Sequence, residues 1–165
     1  MGKQRALTGG ETALARAAFG GRIAYESVRL IDGPDTSFAA HIAFMRDTSA
    51  ITLGSNIYFS QWYTADFAGP NTNAGLFIHE MTHVWQYAAL GQGAFFKRYG
   101  AELAKVAFKA GKLYEYEAEK DLFTAATLEA QAQMVEDYSR ARWGKNAAKT
   151  ARLAKNLAGS KVYGL

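Results

Sequence analysis

Two histidines four residues apart, with a glutamate directly after the first, make the motif HEMTH at positions 79 to 83. On an α-helix such residues share a face, so His79 and His83 can aim ring nitrogens at one ion while Glu80 stands one step around the cylinder. Zinc held by three protein groups keeps a water in its open position, and that water's pKa falls toward about 7. Glu80 is then the expected catalytic residue, a general base that takes the water's proton and passes it to a leaving amine. The spacing points to hydrolysis of peptide bonds with Zn2+ as cofactor. Two histidines and a carboxylate also suit other divalent ions, so the metal's identity rests on ligand type alone.

A five-letter motif is only moderately specific, and its flanks sharpen it. Leu76-Phe77-Ile78 and Val84-Trp85 are apolar, as an active-site helix buried inside a domain requires, and Ile78, Met81, Trp85 and Ala88 offer a second face to the core. A metzincin would need glycine at 86 and histidine at 89. The chain has Gln86 and Ala89, and no histidine follows His83. The third metal ligand must therefore be a carboxylate from a later helix. Glu129 in LEAQAQMVEDY is the best placed, because Ala132, one turn on, lets two helices approach closely. Glu117, Glu119, Glu136 and Asp137 are rivals, the last two resembling the solvated end of that helix. A developing oxyanion also needs a hydrogen-bonding partner. Tyr87, Tyr114, Tyr116 and His41 are candidates, and the sequence does not choose among them.

The elements that must hold these residues can be read in order. Thr8 or Thr12 can cap a short helix over residues 11–19 that Gly20-Gly21 ends. Ile23 to Ile31 reads as extended, followed by a turn at Asp32-Gly33-Pro34-Asp35. The apolar runs His41 to Phe44 and Ile51 to Leu53, around Arg46-Asp47-Thr48-Ser49, read as a hairpin, and Asn56 to Ser60 as another strand. From an N-cap at Asn73 to a stop at Gly91 runs the clearest helix, residues 74–90. Phe95 to Ala110 reads as a helix with a break at Gly100, Tyr114 to Lys120 as a connector, Thr124 to Arg142 as a long helix, and Ala147 to Leu157 as a basic amphipathic one. The fold class is α+β: a small, mostly antiparallel sheet in the N-terminal half packed on the motif helix, then a mainly helical C-terminal half.

Length and composition bound the rest. The 165 residues, 49% apolar, suit one soluble domain with a real core. No membrane span or secretory signal is visible, so the chain reads as cytoplasmic or exported by a specialised route. With no cysteine there is no disulfide and no thiolate ligand. Seven Lys or Arg and no acid occur from Arg140 onward, which makes residues 144–165 a basic tail or peripheral helix. That pattern reads as a solvated face, and nucleic acid is disfavoured as a partner.

LFIHEMTHVWQY resembles the active-site helix of gluzincin-type metallopeptidases, the zincins with a downstream glutamate ligand. LTGGETALARAAFGGRIAYESVRL, ITLGSNIYF, the motif helix and LEAQAQMVEDY together resemble small bacterial Vgr-related proteins, akin to a domain carrying HExxHxxQ found in secreted toxin and phage-like systems. The likeness runs from about Leu7 to Tyr138. It implies a zincin-like fold, a polypeptide substrate laid along an edge strand within Ile51 to Phe59, and secretion-system or toxin components as partners. It also implies an alternative: a zinc-stabilised, catalytically weak interaction module of such an apparatus.

Overall fold

The computed structural model describes residues 3–45 and 48–165. It is α+β. Strands β1 (Gln4–Ala6), β2 (Arg29–Asp32), β3 (Ala50–Leu53) and β4 (Asn56–Phe59) form one mixed sheet in the order β1-β2-β4-β3. The outer pairings are antiparallel and the central one, β2 with β4, is parallel. Six helices accompany it among the described residues: α1 (Gly9–Phe19), α2 (Phe38–Phe44), α3 (Ala74–Leu90), α4 (Gln92–Lys105), α5 (Leu128–Trp143) and α6 (Ala147–Asn156).

Strand alternation sends Leu30, Ile57, Phe59 and Thr52 to the face covered by α3, and Ile31, Tyr58, Ile51 and Leu53 to the opposite face, where α2 packs. On the α3 side, Phe59, Phe67 and Phe77 stack in series from sheet to helix at centroid distances of 5.0 and 5.5 Å. Each such fully buried ring contributes about 1.5–3 kcal/mol by leaving water. The basic C-terminal segment closes the same core: Leu153, Leu157 and Val162 are buried, and the Tyr163 and Ser139 hydroxyls lie 2.7 Å apart.

Four local expectations are corrected. His41 to Phe44 is helical, because the Ser37 side chain accepts from the Ala40 amide and starts α2 there. The true hairpin joins β3 to β4 through Gly54-Ser55, with Gly54 at φ 64°, a left-handed value that a two-residue turn of this kind requires. Of the expected turn, Arg46 and Asp47 lie outside the described residues. Finally, Ile23 to Ile31 is not one extended run, since Tyr25–Ser27 forms a 3-10 turn before β2, and Gly100 lies inside an unbroken α4.

At α1 it is Thr8 that caps, in a reciprocal box with Glu11. Glu11 also anchors the start of the chain. Fully buried, its carboxylate accepts from Arg5 Nη1 and Nη2 at 2.8 and 2.7 Å and from the amides of Thr8 and Phe67, both at 2.8 Å. One charged group thereby ties β1, α1 and the loop before α3. Glu11→Gln keeps the shape but turns one acceptor into a donor facing donors, and is expected to lower unfolding free energy by about 2–3 kcal/mol. Urea unfolding of the metal-free protein measures this, and an unchanged midpoint would refute the anchoring role.

Candidate metal centre

The motif helix forms as its sequence dictates. Asn73 Oδ1 accepts from the Leu76 amide at the start, no proline interrupts, and Gly91 ends the helix at φ 80° with its N–H on Tyr87 O. The second helix of the site, α5, starts one residue after Thr127, whose side chain accepts from the Ala130 amide. The helices run antiparallel, for Asn73 meets Arg140 at one end while Gln86 meets Leu128 and Gln131 at the other. Ala132 is wholly buried on α5, in keeping with the close approach expected of it.

This packing brings His79, His83 and Glu129 together. One ligand atom from each lies within 4.8 Å of the others. Glu129 Oε2 stands 3.0 Å from His83 Nε2 and 3.3 Å from His79 Nε2, and all three residues are buried. Burial alone would raise the Glu129 carboxyl, but the two imidazoles hold it well below the carboxylate range. The imidazoles show the counterpart: burial disfavours their charged form, yet carboxylates, Glu129 chief among them, outweigh it and push both upward. The cluster thus grips protons where three donor atoms converge, as suits a cation. Loading a metal must expel those protons, so zinc affinity is expected to rise with pH from about 6.5, the ordinary imidazole value, toward about 10, where the raised His79 gives up its proton. Chelator competition at both ends of that range measures it, and a flat profile would contradict the proton-holding cluster.

Each imidazole is also held from behind. His83 Nδ1 lies 2.8 Å from Gln86 Oε1. Both Gln86 amide hydrogens are already donated, to Leu128 O at 3.0 Å and to Gln131 Oε1 at 2.9 Å, so His83 must be the donor in this contact. With Nδ1 donating to Gln86, His83 Nε2 donates its own proton to Glu129 at 3.0 Å, and expulsion of that proton would leave Nε2 the lone pair a metal ligand needs while Nδ1 stays bonded. Gln86 is a candidate site residue that reading by composition and spacing missed, although it is the last letter of HExxHxxQ. Gln86→Ala is expected to weaken zinc binding about 10- to 100-fold with little change in fold. Retention of full affinity would make the amide merely structural.

His79 Nδ1 faces a charge instead: Glu136 Oε2 is 3.2 Å away, within ion-pair reach though not aligned as a hydrogen bond. Glu136 is therefore no solvated helix end. Seven residues after Glu129, two turns on, it faces α3 too. The other rival carboxylates lie elsewhere. Glu117 pairs with Lys120, Glu119 with Lys155 and Arg152, and Asp137 accepts from Tyr116 at 2.6 Å.

Glu80 is buried beside the cluster, and Thr52 Oγ1 on β3 donates to its Oε2 at 2.7 Å. Burial raises the carboxyl above its ordinary range against the pull of both imidazoles and this hydroxyl. Of the oxyanion candidates, Tyr114 is brought to the site: its ring stacks on His79 at 5.7 Å and 20°. Burial, then the charges of Glu129 and Glu80, keep its hydroxyl protonated far above the usual phenol range. Tyr116 is committed to Asp137, Tyr87 stacks on Phe95 at 3.8 Å, and His41 sits exposed on α2 across the sheet. Tyr99, which no local pattern marked, joins the site from α4, its hydroxyl pushed up to about 12 by burial and Glu129.

Comparison with known proteins places this geometry among relatives. Residues 6–91 match the family model described as the eCIS core domain. The type VI secretion system spike protein VgrG2b of Pseudomonas aeruginosa is 33% identical over 138 residues, 81% of this chain but 13% of that protein, so the chain spans a small part of its relative's length. The solved effector domain of Pseudomonas aeruginosa VgrG2b superposes with a TM-score of 0.68 at 32% identity, covering 94% of this chain and 82% of the other. Among the described residues, no helix is long and apolar enough to cross a membrane.

Proposed function

The chain belongs to the eCIS core domain family, and from that premise we propose that it is a zinc-dependent metallopeptidase acting as an effector domain of a bacterial secretion or toxin apparatus. The observation that carries the chemistry is the convergence of His79, His83 and Glu129 beside a buried carboxylate, Glu80, that is not one of the three. The relatives' printed names, spike protein and effector domain, support the setting.

His79 Nε2, His83 Nε2 and a Glu129 oxygen would hold the ion. Zinc bound there supplies Lewis acidity, which makes water nucleophilic near neutral pH and polarises a scissile carbonyl. The remaining work falls to the chain. Thr52 orients the Glu80 carboxylate, whose raised basicity suits it to take a proton from water and deliver it to the departing amine. Tyr114 and Tyr99 hold their phenolic protons and are donors for negative charge on the carbonyl oxygen. β3 is an outer strand, with one edge paired to β4 and, among the described residues, no strand paired on the other, where an extended polypeptide would add.

A second reading, a zinc-stabilised interaction module with weak catalysis, draws on one observation: every ligand is buried and Tyr114 lies across His79. Both readings require zinc and differ in turnover. Elemental analysis of protein purified without added metal, followed by digestion of a broad peptide library with the zinc-loaded chain, separates them. Zinc with cleavage supports the peptidase, zinc without cleavage supports the module, and no zinc at any loading overturns both.

A further inference from the structure

The two imidazoles are supported from behind by different devices, and the one behind His79 reaches far from the cluster. Glu136, at its back, uses its other oxygen, Oε1, to accept from Arg140 Nε at 2.9 Å, with Arg140 Nη2 at 2.8 Å. The same Nη2 donates to Asn73 Oδ1 at 2.7 Å, the oxygen that caps α3. The guanidinium fits only because residue 75 has no side chain: a Cβ there would stand 2.2 Å from Arg140 Cζ. Arg140 opens the basic segment that the sequence presents as a solvated face. Here it is spent on one carboxylate and one helix cap.

We infer that Arg140 is a positioning residue for the metal site, holding Glu136 against His79 Nδ1, and that Gly75 is present to admit its guanidinium. The inference rests on the proposed metal site. His79 Nδ1 is buried with no hydrogen bond of its own, so Glu136 is the group that can accept its proton once Nε2 turns to an ion. A carboxylate free to rotate would leave that ring unfixed. Arg140 removes the freedom by holding Oε1 with two nitrogens of one guanidinium edge and bracing itself on the start of the helix that carries both histidines. His83 needs no such brace, because its Gln86 partner is locked by neutral bonds within the interface.

Arg140 is half-exposed, so removing it should not unfold the chain. The test compares zinc affinity, by chelator competition, for the full chain, Arg140→Gln, Gly75→Ala, the double variant and Glu129→Ala. Thermal unfolding of each metal-free protein serves as the check on fold. The expected result is a loss of about tenfold for each single variant and no further loss in the double, because both act on one guanidinium. In 15N spectra of the zinc-loaded protein, the His79 ring nitrogens should shift in both variants while those of His83 stay in place. A merely structural role would not produce that asymmetry. Full affinity in Arg140→Gln, independent losses in the double variant, or equal shifts at both histidines would overturn the inference. If the full chain and Glu129→Ala alike fail to bind zinc, the metal reading falls first. If Glu129→Ala loses zinc while Arg140→Gln keeps it, only the positioning role falls.

Discussion

Glu80→Gln is expected to bind zinc as the unaltered protein does and to lose peptide cleavage by about 10²- to 10⁴-fold, the usual contribution of a positioned acid or base. The amide has the carboxylate's shape and its oxygen can still accept from Thr52, so neither the helix nor the ligands have cause to move. What disappears is the ability to take a proton. A second effect should accompany it. Burial works against the ionised form of Glu80, and a neutral group removes that cost, so the metal-free variant should unfold at an equal or higher temperature. Loss of activity together with unchanged zinc and undiminished stability marks a base. If the variant cleaves at the original rate, the proton acceptor is elsewhere and the assignment of Glu80 fails.

Glu129→Ala should act on the metal and not on the proton. It removes the one carboxylate oxygen that faces both imidazoles, leaving two neutral donors and a void, and zinc affinity is expected to fall by more than about a hundredfold, beyond the range typical of supporting residues. Chelator competition measures the fall, with Glu119→Ala as a comparison, since that carboxylate pairs with Lys155 and Arg152 away from the site. Unchanged affinity in Glu129→Ala would move the third ligand to another group, with Glu136 the nearest alternative. Zinc-dependent protection against heating should vanish in parallel, because a ligand bound only by the folded chain stabilises it in proportion to affinity.

The parts of the site that sequence made legible are those governed by short-range rules. Caps at Asn73 and Gly91 bounded α3 correctly, four-residue spacing put both histidines on one face, and the absence of any later histidine directed attention to a carboxylate on α5. What stayed hidden depends on partners distant in the chain. Tyr114 reaches His79 because Thr127, at the cap of α5, donates to Leu113 O and draws that turn inward. Ala107 and Phe108 precede it at φ 52° and 60°, values no local pattern foretells for such residues. Glu136 looked like surface because only the helix crossing shows its neighbour. HIAF misled for another reason, since a short apolar run fits strand and helix equally until its cap is noticed. β1 escaped notice because three residues with little apolar pattern gain their strand character from β2 and from the Arg5 to Glu11 pair.

On the proposed function, the bond from Thr52 to Glu80 joins two bodies with separate duties: among the described residues, the α3–α5 pair carries His79, His83 and Glu129, while β3 reaches the proposed base. Evolution can therefore tune the two independently. A descendant that drifts at β3 can forfeit turnover and still carry its ion, and an ancestor could have held metal for stability before any edge strand was recruited. On the proposed function, metal content and peptidase activity would be separable traits within such a lineage, and the residue at position 52 is where their histories would part.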